Sequence, residues 1–177
     1  MVPKILVHIC CAPDGLYVLK LLQTSYNVTG FFYNPNIHPG EEYRLRLEET
    51  LKIGELLEVP IIVGDYEAEK WFSLTRNFKD EPEKGRRCDL CYAWRLNKTG
   101  WQAKQNGFNY FTSTLTVSPW KKAPVINKIG RMLGKKWGVN FLEADFKKKD
   151  GFKKSVELSR QYGLYRQKYC GCLYSQK

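Results

Sequence analysis
The sequence predicts an α/β fold in a single domain, with a mostly parallel sheet flanked by helices. Three observations predict it. Short β-branched apolar runs alternate with segments of helical periodicity, and such alternation implies a parallel sheet joined by right-handed crossovers. The chain has 177 residues, which suits one compact domain with a sizeable core, and no repeat, linker or domain boundary interrupts it. The residues of unusual chemistry follow directly on the apolar runs, and in open α/β sheets the site lies at the carboxyl ends of the strands.

Each element has its own signal. Ile5-Leu6-Val7-His8-Ile9 reads as a buried strand. Residues 14–25 read as a helix, with Leu16, Leu19 and Leu22 on one face and Asp14 as a candidate N-cap. Val28 to Tyr33 is a second strand, and Glu41 to Leu57 a long helix whose apolar positions include Tyr43, Leu47 and Leu51. Pro60-Ile61-Ile62-Val63 is a third strand. A helix over residues 88–105 precedes a fourth strand, Phe108 to Thr112, and helices follow near 123–137 and 150–161. Past the strand ends come Cys10-Cys11, then Asn34-Pro35-Asn36-Ile37-His38-Pro39, Asp65-Tyr66, and residues 113–119. The chemistry is thus expected on one edge of the sheet.

Composition narrows the function classes. Hydrophobic residues make up 43%, too many for a disordered chain. No apolar run approaches the ~20 residues of a membrane span. Met1-Val2-Pro3-Lys4 followed by Ile5-Leu6-Val7 does not read as a signal peptide, because the apolar stretch is short and ends in His8 and a cysteine pair. The expectation is a cytoplasmic chain with no membrane partner, in a compartment that keeps thiols reduced. Its six cysteines then read as metal-binding or redox-active.

The net charge of +11 is unevenly spread. Residues 1–83 hold 8 Lys and Arg against 13 Asp and Glu, while residues 84–177 hold 21 against 5. The positive charge concentrates in Lys121-Lys122, Lys135-Lys136, Lys147-Lys148-Lys149 and Lys153-Lys154. Trp94, Trp101, Trp120, Trp137, Tyr162, Tyr165 and Tyr169 are interleaved among them. A solvated lysine surface would scatter its charge. Lysine clusters with aromatics supply phosphate neutralisation and base stacking, the two needs of a nucleic-acid partner.

Four cysteines form two pairs, Cys10-Cys11 in a strand-to-helix loop and Cys88-Asp89-Leu90-Cys91 at a helix start. C-x-x-C on a helix puts both thiols on one face, and a helix N-terminus favours the thiolate. Four thiolates suit a 4Fe-4S cluster or a structural zinc. Adjacent cysteines diverge in direction, which one tetrahedral ion accommodates poorly and a cluster with several corners accommodates better. The third pair, Cys170-Gly171-Cys172, can close a disulfide only through a small strained ring, and strained disulfides are the reducible kind. Gly171 supplies the backbone freedom for it. Spare thiols on a tail are the plainer alternative, but Tyr165-Arg166-Gln167-Lys168-Tyr169 before the pair and Leu173-Tyr174 after it are not a featureless tail, so a redox pair is favoured. The domain is read as 1–177, with 163–177 as a redox-active C-terminal tail.

Taken together, these residues resemble the QueH family of epoxyqueuosine reductases. The resemblance is carried by His8-Ile9-Cys10-Cys11-Ala12-Pro13, by residues 31–39, by Glu41-Glu42-Tyr43 and Arg46-Leu47-Glu48-Glu49, and by residues 81–88 with Cys91. It continues in Thr112-Ser113-Thr114-Leu115 with Ser118-Pro119, and in Tyr165-Arg166-Gln167 with residues 169–175. The resemblance implies reduction of epoxyqueuosine to queuosine at the wobble position of tRNA anticodons. It implies a 4Fe-4S cluster on Cys10, Cys11, Cys88 and Cys91, with Cys170 and Cys172 as a redox pair. Many relatives read Cys-Cys-Ala-Pro-Cys, whereas Asp14 stands at the fifth position here. Cysteine and aspartate are alternative iron ligands, so position 14 is expected to touch metal or substrate. Asp14 is then a ligand of a second iron beside the cluster, a proton donor, or only the helix cap.

The fold is also similar to the adenine nucleotide α-hydrolase-like superfamily that includes the PP-loop enzymes. Those place a glycine-rich phosphate loop after strand one. Cys10-Cys11-Ala12-Pro13-Asp14-Gly15 occupies that place here, so backbone amides for ATP phosphates are not expected.

Removing an epoxide oxygen as water takes two electrons and two protons. A dithiol at Cys170 and Cys172 supplies two electrons, and an iron with an open position would polarise the C–O bond. Candidate proton donors are Asp14, His8, His38, Tyr33 and Asp89. His8, at a strand end, reads as a satisfied core residue, which leaves His38 the more suggestive histidine. The partners expected are tRNA bearing epoxyqueuosine and an electron donor. Two other classes compete: a zinc-stabilised RNA-binding module, which would not need the C-x-C pair, and an ATP-dependent PP-loop enzyme, which would need the missing phosphate loop.

Overall fold
The computed structural model describes residues 1–176; residue 177, the end of the expected tail, lies outside them. The elements in chain order are β1 (Lys4–His8), α1 (Ala12–Leu22), β2 (Asn27–Phe32), α2 (Gly40–Leu57), β3 (Ile61–Val63) and α3 (Ala68–Thr75). They continue with α4 (Arg86–Gln105), β4 (Tyr110–Ser113), α5 (Ala123–Trp137), β5 (Asn140–Phe141) and α6 (Gly151–Gln161). The strands form one sheet in the order β3-β2-β1-β4-β5, and every neighbouring pair is parallel. The order reverses between β1 and β4, and that topological switch point is where open α/β sheets hold their ligands.

Burial on both faces explains why β1 is apolar throughout. Ile5 and Val7 pack with Leu16 and Leu19 of α1, Ile53 of α2 and Leu158 of α6. Leu6 turns to the other face, among Phe31, Phe111, Ala103 of α4 and Leu133 of α5. A parallel sheet covered on both sides reads as a continuous hydrophobic run for this reason.

Two expectations change. The first helix begins at Ala12 with Cys11 at the cap position, so Asp14 lies inside the first turn and is not the N-cap. Pro13 sits at the start of that helix, where its fixed φ suits the first turn and its missing N–H costs nothing. The periodicity also gave no sign of α3, whose eight residues bury Trp71 fully, nor of β5, whose two residues are too few to show alternation. Among the described residues no helix is long and apolar enough to cross a membrane.

Candidate functional site
Of the four segments expected to carry chemistry, Cys10-Cys11, residues 34–39 and residues 113–119 meet at the carboxyl edge of the sheet, and Asp65-Tyr66 joins them through the Tyr66 hydroxyl, which donates to the Ile37 carbonyl. Cys10 follows β1 directly at the switch point. Its N–H donates to Thr114 Oγ1, just past β4, and its Sγ lies 3.1 Å from the same hydroxyl oxygen. The Cys11 Sγ is 3.9 Å from that of Cys10, and Asp14 Oδ2 is 3.8 Å from Cys10 Sγ. One donor atom from each of Cys10, Cys11 and Asp14 lies within 4.8 Å of the others, a spacing that suits soft and hard donors around iron. Burial raises the Asp14 carboxyl above the ordinary range. The other carboxylate oxygen accepts from Ser155 Oγ of α6 at 3.0 Å, which leaves Oδ2 toward Cys10.

Cys88 and Cys91 come from the first turns of α4. Cys88 packs in one cluster with Leu115, to which Cys10 is also apposed, and Cys91 packs with Trp71 and Cys172. The Lys84 backbone N–H donates to Cys88 Sγ at 3.3 Å. The thiolate expected from the helix N-terminus is opposed at Cys88, because burial pushes its thiol up. Arg95, one turn beyond Cys91, places Nη1 3.7 Å from Cys91 Sγ, and its Nη2 donates to Asn34 Oδ1 at 2.7 Å. Asn34 in turn donates to the Ile9 carbonyl at 2.8 Å. This buried guanidinium therefore ties α4 to the end of β1.

The C-x-C segment closes over the same region. Gly171 has φ +109°, and a Cβ there would come within 2.8 Å of Ile37, so glycine is required on both counts. Arg46, buried in α2, donates to the carbonyls of Tyr169 and Cys170, each at 3.0 Å, and through Nε to Glu42 at 2.7 Å. The His38 N–H donates to the Gly171 carbonyl at 2.8 Å. Cys170 Sγ lies 3.0 Å from Ser175 Oγ. A hydrogen bond from the Cys172 thiol, with the Lys121 cation nearby, lowers the Cys170 thiol well below its ordinary value, and the same pairing with burial raises Cys172. The pairing thus favours the thiolate at Cys170 over Cys172. All six cysteines are free thiols in this structure.

Two adjoining cavities result. The larger, about 420 Å³, has Cys10, Asp14, Arg95, Lys121 and Cys170 on its wall, and its size is that of a small-ligand site. The smaller is lined by Cys88, Cys91, Cys170 and Cys172. Arg95, Lys121 and Cys170 border both.

The remaining candidates lie elsewhere. His8 is fully buried, its ring nitrogens 2.9 Å from Ser113 Oγ and 3.1 Å from the Tyr33 carbonyl, and burial with Arg95 lowers it to about 3, as a neutral core residue requires. The Tyr33 hydroxyl donates to Glu67 and accepts from Trp94 Nε1, both at 2.7 Å, and it lines neither cavity. His38 also lines neither. Its ring stacks on Phe72 with centroids 4.3 Å apart, and burial lowers it to about 4. Its ring nitrogens have no hydrogen-bond partner among the described residues. Arg46, Arg95 and Lys121 were not named as site residues from sequence, although Arg46 lies in a stretch that carries the resemblance and Lys121 in a lysine cluster. Arg95 could have been, since it stands one helical turn after Cys91 on the same face. The motif of Arg46 and the cluster of Lys121 do not by themselves say that either reaches the site.

The loop after β1 runs from Ile9 to Cys11 without a glycine. Gly15 lies within α1, where a Cβ would meet Ile53 at 2.8 Å and Ile9 at 2.9 Å. It serves close packing, so the structure offers no phosphate loop at this position.

The fold is shared with the U34-tRNA thiolase NcsA from Methanococcus maripaludis, solved with its [4Fe-4S] cluster. The TM-score is 0.62 at 14% identity, over 99% of this chain and 62% of that one, so the chain spans less than two thirds of it. A predicted tRNA methyltransferase subunit from Methanocaldococcus jannaschii matches with a TM-score of 0.53 at 14% identity, over 89% of this chain and 76% of that one. In sequence, the chain is 39% identical to the epoxyqueuosine reductase QueH of Streptococcus pyogenes, over 99% of this chain and 71% of that protein. It is 38% identical to that of Thermotoga maritima, over 97% of this chain and 89% of that protein. The family model described as epoxyqueuosine reductase QueH matches residues 5–177. With both the family match and relatives of this identity covering nearly all of its length, the chain belongs to the epoxyqueuosine reductase QueH family.

Proposed function
We propose that this chain reduces epoxyqueuosine to queuosine at the wobble position of tRNA. The observation that supports the reading best is the gathering of five thiols and the Asp14 carboxylate on the walls of two adjoining cavities at the switch point, with the sixth thiol, Cys11, beside Cys10. The donor set fits an iron–sulfur group. Cys10, Cys11, Cys88 and Cys91 would hold a 4Fe-4S cluster, which when bound supplies electrons to the substrate.

The chain's own residues account for the rest of the balance. The epoxide oxygen leaves as water and an alkene forms, which consumes two electrons and two protons. Oxidation of the Cys170 and Cys172 pair to a disulfide releases two electrons and, with Cys170 as the thiolate, one proton; the second proton comes from a buried acid such as Asp14 or from solvent, and an external reductant of the disulfide-reducing class restores the pair. Lys121 and Arg95 supply positive charge around the larger cavity, while Arg46 holds the backbone of residues 169–170 in place. His38 and Tyr33 act from outside the cavities, His38 through its contact with the C-x-C backbone and Tyr33 as a structural link to Glu67 and Trp94.

Asp14 has two compatible roles, ligand of a second iron or proton donor through Oδ2. Asp14→Asn separates them. Loss of one iron per chain relative to wild type, with sulfide unchanged, assigns the ligand role; unchanged iron with turnover lowered about 10²–10⁴-fold assigns the proton. The function itself is tested by incubating anaerobically prepared protein and a reductant with tRNA bearing epoxyqueuosine. Queuosine should appear in the nucleoside digest, and its absence with an iron-loaded protein overturns the reading.

The RNA partner rests on the basic half. Lys122, Lys135, Lys136, Lys148, Lys149, Lys153 and Lys154 are all exposed. The tRNA affinity should therefore fall steeply with salt, with a log–log slope of about −0.7 to −0.9 for each phosphate neutralised. Binding that stays flat from low to physiological salt would remove these lysines from the interface.

A further inference from the structure
The aromatic residues of the basic half are used in different ways. Trp94 and Trp137 pack against the core beside Leu6 and Phe111, and their indole N–H groups donate to Tyr33 and Asn97. Tyr165 and Tyr169 donate their hydroxyls to Glu42 and to the His38 carbonyl. Trp120 differs from all of these. It is 64% exposed, and it stands on the rim of the larger cavity, whose wall includes Cys10, Asp14 and Cys170.

This tryptophan is nonetheless held in place. Its backbone N–H donates to Ser118 Oγ at 3.2 Å, and the backbone N–H of Lys121 donates to the Ser118 carbonyl at 3.2 Å. The Lys84 ammonium lies 5.5 Å from the indole centroid, within cation–π range. Lys122 Nζ donates to the Lys84 carbonyl at 3.0 Å, which joins the turn carrying Trp120 to the segment before α4. An indole left in water forgoes the stabilisation of burial, and here its ring is ordered in advance by a turn and a cation.

We propose that Trp120 is the stacking platform for an unpaired RNA nucleobase adjacent to the one that enters the cavity. The inference rests on the tRNA reading above and names a subsite within it. Lys84, Lys121, Lys122, Arg166 and Lys168 surround the indole and the cavity rim, against Glu83 on the same rim. That charge suits the phosphates flanking a base in a single-stranded loop. The cavity accepts one base, so its neighbour must leave the regular stack and needs a new aromatic surface. An indole accepts any base, because every base has a π-face.

The test uses the anaerobically prepared full chain and a short RNA hairpin with an unmodified anticodon loop, measured beside a fully paired duplex of equal length. Trp120→Ala should weaken hairpin binding about tenfold to a hundredfold, the loss of one base–aromatic stack, and should leave duplex binding within about twofold. Trp120→Phe should recover most of the loss. The hairpin should quench indole fluorescence in wild type, while the emission left in Trp120→Phe, from the other four tryptophans, should not be quenched. Since Trp120 is exposed, the denaturation midpoint should not move. Hairpin affinity unchanged in Trp120→Ala overturns the proposal, as does an equal loss for hairpin and duplex, which would make the residue part of a general surface or of a protein-binding patch. Turnover of epoxyqueuosine-bearing RNA by wild type is read separately. If turnover is absent while the loop-specific loss holds, the proposed reaction fails and the stacking site stands.

Discussion

Cys88→Ala and Cys91→Ala are each expected to yield protein that lacks the brown colour of wild type prepared without oxygen, with iron and acid-labile sulfide lost and reductase activity abolished. The two thiols come from one face of α4, three residues apart, so they present paired donors toward the small cavity. An incomplete thiolate set holds a cluster poorly. Removing one sulfur at a site of this size changes volume little. A variant that folds with a near wild-type urea midpoint and lacks iron therefore reports ligation rather than collapse. The zinc alternative makes the opposite forecast for wild type: a colourless protein with stoichiometric zinc. Retention of iron and colour in Cys88→Ala would remove that residue from the ligand set.

Cys170→Ser and Cys172→Ser should keep wild-type iron content and tRNA affinity yet stop multiple turnover. The geometry gives the two cysteines unequal roles. Cys170, beside Ser175 and Lys121, is favoured as the thiolate, while the pairing and burial raise Cys172. Gly171 and the Arg46 guanidinium hold the backbone that brings them together. Product counted per enzyme, with iron analysis and tRNA binding on the same samples, distinguishes the outcomes. Lowered iron makes these residues metal ligands. Wild-type turnover in both variants makes them spare thiols and reduces the C-terminal segment to a structural element.

The reliable features of the sequence were those written in local periodicity and spacing. β1 was legible because burial on both faces of a parallel sheet leaves an unbroken apolar run, and α2, α4 and α5 because their lengths support a 3.6-residue pattern. The C-x-x-C and C-x-C pairs and the basic second half were legible because each is a property of neighbours along the chain. Of the three readings left open for Asp14, the helix cap falls away because Pro13 starts the helix earlier than its first charged residue suggests. α3 was missed because eight residues hold barely two turns.

Sequence by itself thus determined the α/β class, the strand-end location of Cys10-Cys11 and the charge asymmetry. Tertiary structure alone decided which groups meet. Cys10 finds Thr114 across 104 positions, and Arg46 reaches the Cys170 carbonyl across 124. Arg95 is placed between Cys91 and Asn34, and Tyr33 is turned away to Glu67. These pairings follow from sheet order and register, which bring the ends of β1, β2 and β4 side by side. No periodicity of 2 or 3.6 residues encodes such distances along the chain, because it reports only which face of an element is apolar and not which element that face will meet.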